Sequence, residues 1–271
     1  MYFCAMIKKL ISIVLIVLTI GLGACSNFQK LLKSTDNELK YESAMDYYEK
    51  KDYNRALELF DMLNIFYQGT TKGEEISYRM AYSYYYLKDY TIASFYFKRH
   101  AQTYPNSARA EECMFMNAYC YYLDSPVPSL DQSNTLLAIK ELQAFTDMFP
   151  LSNRIAESNE LIDKLREKLL VKDFNIALLY YKMRDYQAAI TTFENVLKKY
   201  PDTDRSEEIF YTMSIAYYEY AEKSIAEKQK ERYQASVEAY NNLKFQFPES
   251  QYLKQLDNIY HKAVKKLSEI S

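Results

Sequence analysis

The sequence is poor in glycine, and this scarcity excludes several classes of fold and site. Only four glycines occur in 271 residues, and two of them, Gly21 and Gly23, lie in an apolar leader. The other two, Gly69 and Gly73, do not form the glycine-rich loop that cradles a nucleotide phosphate. Because folds rich in β-hairpins need many turn glycines, the composition predicts an all-α chain without a nucleotide cofactor.

Groups that commonly carry catalysis or bind metals are also scarce. The two histidines, His100 and His261, lie far apart, and no cysteine and histidine cluster has the spacing of a zinc site. Cys113 and Cys120 are too far apart on one predicted helix for a disulfide, so we expect small core residues. No serine lies in a nucleophile-elbow context. The sequence therefore predicts no catalytic residue, no metal site and no cofactor, and a binding protein instead of an enzyme.

The charge of the chain argues against nucleic acid as a partner. The formal net charge is -2 at pH 7, and it becomes -4 when Lys8 and Lys9 are removed with the leader. Nucleic-acid-binding proteins normally carry a basic face.

Tryptophan is absent, yet the chain has 29 tyrosines. Since tyrosine is only a middling helix former, packing or recognition must account for them.

Residues 1–24 have the composition of a signal peptide. Lys8 and Lys9 precede an apolar run over residues 10–20, which is too short for a comfortable membrane span. The sequence Leu-Gly-Ala-Cys at residues 22–25 resembles the lipobox of bacterial lipoproteins. We therefore predict that Cys25 receives the lipid and that the chain is attached to the membrane through it. The alternative is an ordinary secretory signal followed by an unrelated cysteine.

The residue after Cys25 predicts the destination. Ser26 stands where lipoproteins retained in the inner membrane often have aspartate, so the resemblance to bacterial lipoproteins implies the outer membrane. No acidic run follows, which favours the periplasmic face over the cell surface. Met6 is an alternative start, because residues 1–5 add nothing to the signal.

A pattern of small and aromatic residues recurs along the mature chain. An alanine is followed by tyrosine three residues later, by a second alanine after 12 residues, and by phenylalanine four residues after that. Three copies contain Ala44, Tyr47, Ala56 and Phe60; Ala81, Tyr84, Ala93 and Phe97; and Ala177, Tyr180, Ala189 and Phe193. This pattern resembles the tetratricopeptide repeat, in which small residues let two helices approach closely.

Two further copies, repeats 3 and 5, are stretched by eight residues between their helices. Repeat 3 inserts residues 124–133 with Pro126 and Pro128, which predicts a surface loop. Repeat 5 has no helix breaker at this point, which predicts longer helices. Residues 153–183 read as one long helix capped by Ser152 or Asn153. The predicted fold is thus an all-α, right-handed tetratricopeptide solenoid of about five helix pairs, with a mild bend at the long helix.

The predicted organisation has four parts. Residues 1–24 form the signal peptide and residues 25–37 a lipidated linker. Residues 38–152 contain repeats 1–3, and residues 153–271 contain the long helix with repeats 4 and 5. We expect one continuous array in which the long helix acts as a stiff spacer.

An aromatic surface is predicted on the first helices of repeats 1–3. One face of these helices lines the concave side of tetratricopeptide arrays, and most residues placed there in this chain are aromatic. They are Tyr41, Tyr48, Tyr78, Tyr82, Tyr85, Tyr86, Phe115, Tyr119 and Tyr122. Because tyrosine offers a large contact area at low entropic cost, we predict that they bind an extended peptide. The alternative is that these rings merely fill a tight superhelix.

Taken together, the lipobox, the repeats, the insert and the long helix resemble the BamD family, the lipoproteins of the outer-membrane β-barrel assembly machinery. The similarity is to the form found in Bacteroidetes-type bacteria. The matching stretches are residues 33–41, 104–112, 119–126 and 200–203. The resemblance implies that repeats 1–3 bind unfolded outer-membrane proteins, whose carboxy-terminal strands carry alternating aromatic residues. It also implies that repeats 4 and 5 dock a BamA-like barrel subunit through its periplasmic repeat domains.

One departure from the family concerns docking. Family members often have an arginine just before the second-helix aromatic residue of repeat 4, whereas this chain has Thr192. Contacts to the barrel subunit are therefore not assigned to residues. The alternative function is a generic tetratricopeptide scaffold lipoprotein that organises cell-wall or nutrient-uptake proteins of the cell envelope.

Overall fold

The structure of the chain, a computed structural model, describes residues 27–270. Every regular element within these residues is helical. A helical segment over residues 27–33 precedes eleven α-helices. They are α1 (Asn37–Glu49), α2 (Tyr53–Tyr67), α3 (Thr71–Tyr86), α4 (Tyr90–Thr103), α5 (Ala110–Leu123), α6 (Ser133–Met148), α7 (Ile155–Lys182), α8 (Tyr186–Lys199), α9 (Ser206–Glu222), α10 (Ala226–Gln246) and α11 (Leu253–Ile270).

The first ten of these helices correspond to the five predicted pairs, which confirms the all-α tetratricopeptide-type fold. Small residues sit where the paired helices approach each other, and aromatic rings fill the space beside them. The rings of Phe60, Phe97 and Phe193 have no exposed surface. The same is true of Ala44, Ala56, Ala81, Ala93, Ala118, Ala138, Ala177, Ala189 and Ala216. The recurring alanines and phenylalanines of the sequence are therefore the core of the pairs.

The turn inside three of the pairs is built from a basic residue and an aspartate. These turns are Lys51–Asp52, Lys88–Asp89 and Arg184–Asp185. The basic residue has a φ between 61° and 64°, which reverses the chain after the first helix. The aspartate is the N-cap of the second helix, and its carboxylate accepts a hydrogen bond from the N–H three residues on, at 3.2–3.4 Å.

The turns between successive pairs share a second sequence, aromatic–Pro–x–Ser/Thr–x–Arg. The copies begin at Tyr104, Phe149 and Tyr200, and a fourth copy at Phe247 has tyrosine in place of arginine. In each copy the serine or threonine N–H donates to the aromatic carbonyl oxygen at 3.0–3.2 Å. Its hydroxyl oxygen accepts a hydrogen bond from the N–H two residues later, also at 3.0–3.2 Å. Proline ends the preceding helix, and this turn then fixes where the arginine enters the next pair.

The chain divides into two compact units. The amino-terminal unit comprises Met1–Ser125 and Ser133–Ile162, and the carboxy-terminal unit comprises Pro126–Gln132 and Asp163–Ser271. The division thus falls inside α7. In the carboxy-terminal unit, α7 and α8 pack through Phe174 and Phe193, whose ring centroids are 5.8 Å apart. The domain boundaries expected from the sequence, at residues 37 and 152, stay predictions.

The structure agrees with the sequence-based predictions for the insert of repeat 3 and the helices of repeat 5, and it differs from them at α7 and α11. The insert of repeat 3 is a loop over residues 124–132, and repeat 5 is stretched through its helices, with 17 residues in α9 and 21 in α10. Both outcomes agree with the sequence. Helix α7 begins at Ile155, later than expected, because Ser152 and Arg154 belong to the preceding turn. Helix α11 was not foreseen as a separate element.

The described part of the expected linker, residues 25–37, is packed against the first pair. Phe28 lies in the helical segment 27–33 and is only 6% exposed. Its ring meets that of Tyr47 edge-on with 5.4 Å between centroids, and the Arg55 guanidinium lies 5.5 Å from its centroid. Leu31 and Leu32 pack against the same core. This segment therefore extends the first pair instead of forming a free tether.

Candidate peptide-binding surface

Helices α1, α3 and α5 of the amino-terminal unit bring the nine predicted aromatic residues to a common surface, here called the aromatic surface. On α3 and α5 the rings follow at helical spacing, so that neighbours three or four residues apart touch. The ring centroids are 4.9 Å apart for Tyr78 and Tyr82, 5.8 Å for Tyr82 and Tyr86, 5.8 Å for Phe115 and Tyr119, and 5.7 Å for Tyr119 and Tyr122.

Glu112, in the first turn of α5, holds two tyrosines of α3. Its Oε2 accepts a hydrogen bond from the Tyr78 hydroxyl at 3.1 Å, and its Oε1 accepts one from the Tyr82 hydroxyl at 2.5 Å. Burial, followed by the charge of Glu112, raises the pKa of Tyr78 to about 12. Burial and the bond to Glu112 raise the pKa of Tyr82 as well. Both hydroxyls therefore stay protonated and fix α3 against α5.

At four places along this surface, a lysine or arginine side chain lies over an aromatic ring. A cation–π contact of this kind contributes about 0.5–2 kcal/mol, depending on how far it is desolvated. The cations are Lys72 over Tyr41 at 4.9 Å, Arg79 over Tyr48 at 4.5 Å, Arg109 over Tyr78 at 4.3 Å and Arg154 over Phe115 at 4.5 Å from the ring centroid. A ligand on this surface consequently meets rings that are partly covered by positive charge.

Glu75 ties two of these arginines together. Its Oε1 accepts a hydrogen bond from Arg79 Nε and its Oε2 accepts one from Arg109 Nη1, both at 2.5 Å. Burial raises the pKa of Glu75, but the hydrogen bonds from Arg79 and Arg109 outweigh it and hold that pKa below its usual range. The carboxylate stays ionised at neutral pH and keeps both guanidinium groups on their rings.

Exposure separates the residues that can meet a ligand from those that support them. Tyr86 is 49% exposed, whereas Phe115 is 2% exposed, beneath Arg154 and against Phe145. Phe115 therefore supports the exposed rings of the aromatic surface from beneath, whereas the sequence predicts that it contacts the ligand. Six hydroxyls make no hydrogen bond to any residue that the structure describes. They belong to Tyr41, Tyr48, Tyr85, Tyr86, Tyr119 and Tyr122.

An open cleft lies between α1 and α3 at one end of the aromatic surface. Its volume is about 310 Å³. Charged, polar and aromatic side chains line it together, whereas small-molecule pockets are mostly apolar. The lining residues are Tyr41, Met45, Thr71, Lys72, Glu75 and Arg79.

Within residues 27–270, the cysteines are buried and the acidic residues are not grouped with them. Across residues 27–270 no group of three or more His, Cys, Asp or Glu side chains is placed to hold a metal ion. Cys113 and Cys120 are free and buried, as expected from their spacing. Burial raises the pKa of the Cys120 thiol to about 12 and raises that of Cys113 as well, which makes both poor nucleophiles.

The membrane attachment falls on residues for which no structure is described. Cys25 lies outside residues 27–270, so its lipidation stays a prediction. Over that same range no helix combines the length and the apolar character needed to span a bilayer.

Sequence reasoning missed the arginines that cover the rings. The signal that could have found them is the repeated inter-pair turn, because Arg109, Arg154 and Arg205 each stand four residues after its proline. The same contact recurs in the carboxy-terminal unit, where the Arg205 guanidinium lies 5.0 Å from the centroid of Phe174. This turn sequence therefore ends one helix and also places an arginine over an aromatic ring of the preceding helix pair.

A comparison with protein families gives a match over most of the chain. The model of the YfiO family, described as outer membrane lipoprotein, matches residues 33–232. The chain belongs to this family. Membership confirms that the protein is an outer membrane lipoprotein, although it does not identify the lipidated residue. The matched range includes all nine residues of the aromatic surface.

One curated relative is similar over a shorter stretch. The outer membrane protein assembly factor BamD of Rickettsia prowazekii (strain Madrid E) is 31% identical over 87 residues, which are 32% of this chain and 35% of that protein. The chain thus aligns with about a third of that relative's length. Together with the family match, this similarity confirms the resemblance to the BamD family that the sequence predicts.

Proposed function

We propose that the chain is a lipid-anchored component of the outer-membrane β-barrel protein assembly machinery. It is held at the periplasmic face through Cys25 and binds unfolded outer-membrane proteins along the aromatic surface. Repeats 4 and 5 hold the barrel-forming subunit, a BamA-like protein with periplasmic repeat domains. Membership of an outer membrane lipoprotein family and the name of the Rickettsia relative, an assembly factor, support this role.

The row of cation-covered rings is the observation that carries the client-binding part of the proposal. Clients of this class end in strands with alternating aromatic side chains. A guanidinium with one face on a tyrosine presents its other face, on which a client's aromatic ring can stack. Arg79, Arg109 and Arg154 keep 25%, 36% and 35% of their side-chain surface exposed, so part of each side chain is accessible to a client.

The unpaired tyrosine hydroxyls supply the second kind of contact. An extended, unfolded client has N–H and C=O groups without partners along its backbone. A hydroxyl can donate to one and accept from the other, and six hydroxyls of the aromatic surface are available for this. Binding is therefore non-covalent and tolerant of client sequence, and folding of the client on the barrel subunit drives its release.

The docking half of the proposal rests on the carboxy-terminal unit. The hydroxyl of Thr192, which stands where relatives often carry a docking arginine, donates to the Ala188 carbonyl oxygen at 2.7 Å within its own helix. Apolar side chains on one face at the end of α7, with Met183 directly after the helix, are candidates for the contact instead, because exposed apolar patches mark interfaces. They are Ile176, Leu179, Tyr180 and Met183, which are 37–66% exposed.

Replacing Tyr85, Tyr86 and Tyr119 together with alanine tests client binding. We expect the affinity for a synthetic peptide with the carboxy-terminal strand of a β-barrel protein to fall at least about tenfold. Aromatic anchors at an interface typically cost more than about 1 kcal/mol each when truncated, and about 1.4 kcal/mol is a factor of ten. Fluorescence anisotropy of the labelled peptide, titrated with the mature chain, measures the change.

A control variant removes three exposed apolar side chains from the second helices. Met62, Phe66 and Phe95 are 39%, 70% and 57% exposed on α2 and α4, away from the aromatic surface. We expect their triple alanine variant to bind the peptide as the unaltered chain does. Circular dichroism verifies that both variants are folded. Equal affinities for the tyrosine variant and the unaltered chain contradict the proposed binding surface.

A further inference from the structure

The described chain begins at one edge of the amino-terminal unit. Phe28 contacts Tyr47 in the last turn of α1 and Arg55 in the first turn of α2, so it lies beside the α1–α2 turn. Cys25 precedes Phe28 by three residues. Because three residues of fully extended chain span at most about 11 Å, a lipid on Cys25 is tied close to this turn and not to a long tether.

The α3–α4 turn belongs to the same edge. The Tyr53 ring at the start of α2 stacks on the Tyr86 ring at the end of α3, with 5.0 Å between centroids and 22° between planes. Tyr85 and Tyr90 face each other across the α3–α4 turn with centroids 5.8 Å apart. The two turns, Lys50–Asp52 and Leu87–Asp89, are therefore neighbours.

Each of these turns carries an exposed lysine at its tip, next to an aspartate whose carboxylate caps the following helix. Lys51 and Lys88 are exposed and form no ion pair with another residue of the described range. Tyr86 and Leu87 beside them are 49% and 39% exposed. Glycine is the usual residue at a positive φ of this kind, so a lysine at both tips places a charge there at a conformational cost.

The opposite edge of the same unit has different chemistry. Its turns are residues 68–70, 104–109 and 149–154, and their basic residues are Arg109 and Arg154. Both guanidinium groups are directed over rings, those of Tyr78 and Phe115, and both arginines form ion pairs. Within the amino-terminal unit, the turn lysines without an ion-pair partner, Lys51 and Lys88, thus lie at the same edge as Phe28.

We propose that this edge, formed by Lys51, Leu87 and Lys88, contacts phospholipid headgroups. Lysine ammonium groups near a membrane are attracted to anionic headgroups. The acyl chains on Cys25 hold the protein on the bilayer, and this edge determines which side faces it. The inference goes beyond the proposed function and requires acylation at Cys25.

Two variants of the mature acylated chain, each with one added cysteine, test the orientation. Asn54 is exposed at the proposed edge and Asn106 is exposed at the opposite edge. Asn54→Cys and Asn106→Cys are labelled with the same fluorophore and bound to vesicles of phosphatidylethanolamine and phosphatidylglycerol that carry a headgroup nitroxide. Cys113 and Cys120 have no exposed surface and do not compete for the label. We expect several-fold stronger quenching at position 54, and equal quenching or stronger quenching at position 106 overturns the proposal.

Charge reversal tests the lysines themselves. In the Asn54→Cys background, Lys51→Glu with Lys88→Glu is expected to lower the quenching while the chain still floats with the vesicles, because the acyl chains remain. Lys51→Arg with Lys88→Arg is the matched control and is expected to retain the quenching. Unchanged quenching after charge reversal overturns the assignment of the lysines.

The outcome is separable from that of the proposed function. A chain that does not float with vesicles, and whose mass shows no acyl groups, overturns the inference at its first step. Peptide binding by the aromatic surface is measured in solution without vesicles, so it can succeed or fail on its own.

Discussion

Tyrosines of α3 have two different roles, although they look equivalent in the sequence. Tyr78 and Tyr82 donate their hydroxyls to Glu112 and are held in place by it. Tyr85 and Tyr86 have no such partner among the described residues, and Tyr86 is the most exposed ring of the aromatic surface. Helical spacing predicts that all four share a surface, but only the position of α5 decides which hydroxyls are left for a ligand.

His100 is buried behind this surface without a hydrogen-bond partner. It has no exposed surface, and neither ring nitrogen has a partner among the described residues. Its ring meets that of Tyr78 with 5.8 Å between centroids. Burial lowers the pKa of His100, so the folded chain holds the imidazole neutral. The charged groups that act on it are Glu74, Glu75, Glu112 and Arg109.

Acidification is therefore expected to destabilise the chain through His100. In the unfolded chain the imidazole takes up a proton near pH 6.5, which the folded chain resists. This contribution to stability is present above about pH 6.5 and is lost as the pH falls below that value. Urea unfolding followed by circular dichroism should show a smaller difference between pH 7 and pH 5.5 for His100→Phe than for the unaltered chain.

The second histidine provides the control for this effect. His261 is exposed on α11, so His261→Phe is expected to keep the pH dependence of the unaltered chain. An unchanged pH dependence in His100→Phe would show that the buried histidine is not its source.

At the scale of single elements, the sequence predicts the helix pairs because their packing repeats. The alanines and phenylalanines recur with the same spacing in repeats 1, 2 and 4, so the 12-residue step is visible without a structure. Helix α11 and the helical segment 27–33 occur once, and no repeated pattern indicates them. The start of α7 was also misplaced, because the Ser–x–Arg turn uses residues that resemble a helix cap.

Gly73 sets the distance between α2 and α3. A Cβ at this position would lie 2.0 Å from the Tyr67 carbonyl oxygen and 2.9 Å from the Tyr104 hydroxyl oxygen. Because the backbone of α2 cannot yield locally, Gly73→Ala must push the two helices apart. We expect a loss of about 3 kcal/mol in the free energy of unfolding, at the upper end for overpacking, measured by urea denaturation.

Gly69 is the natural comparison for that substitution. Its φ is +79°, and a Cβ there would meet nothing within 4 Å. Gly69→Ala is therefore expected to cost about 1 kcal/mol from backbone strain alone. A loss for Gly73→Ala no larger than that for Gly69→Ala would show that α2 and α3 are not closely held at this point.

At the scale of the whole molecule, the aromatic surface belongs entirely to the amino-terminal unit, whereas the family match extends over parts of both units. The sequence predicts the family and the outer-membrane class, because the lipobox and the repeats occur together. It does not predict the cations over the rings, since each of those contacts joins residues from different pairs.

Affinity purification of the acylated chain from detergent-solubilised outer membranes, with the partners identified by mass spectrometry, tests the assembly role most directly. We expect a barrel protein with periplasmic repeat domains to co-purify in amounts comparable to the chain. An eluate that contains cell-wall or nutrient-uptake proteins and no such barrel protein would contradict it.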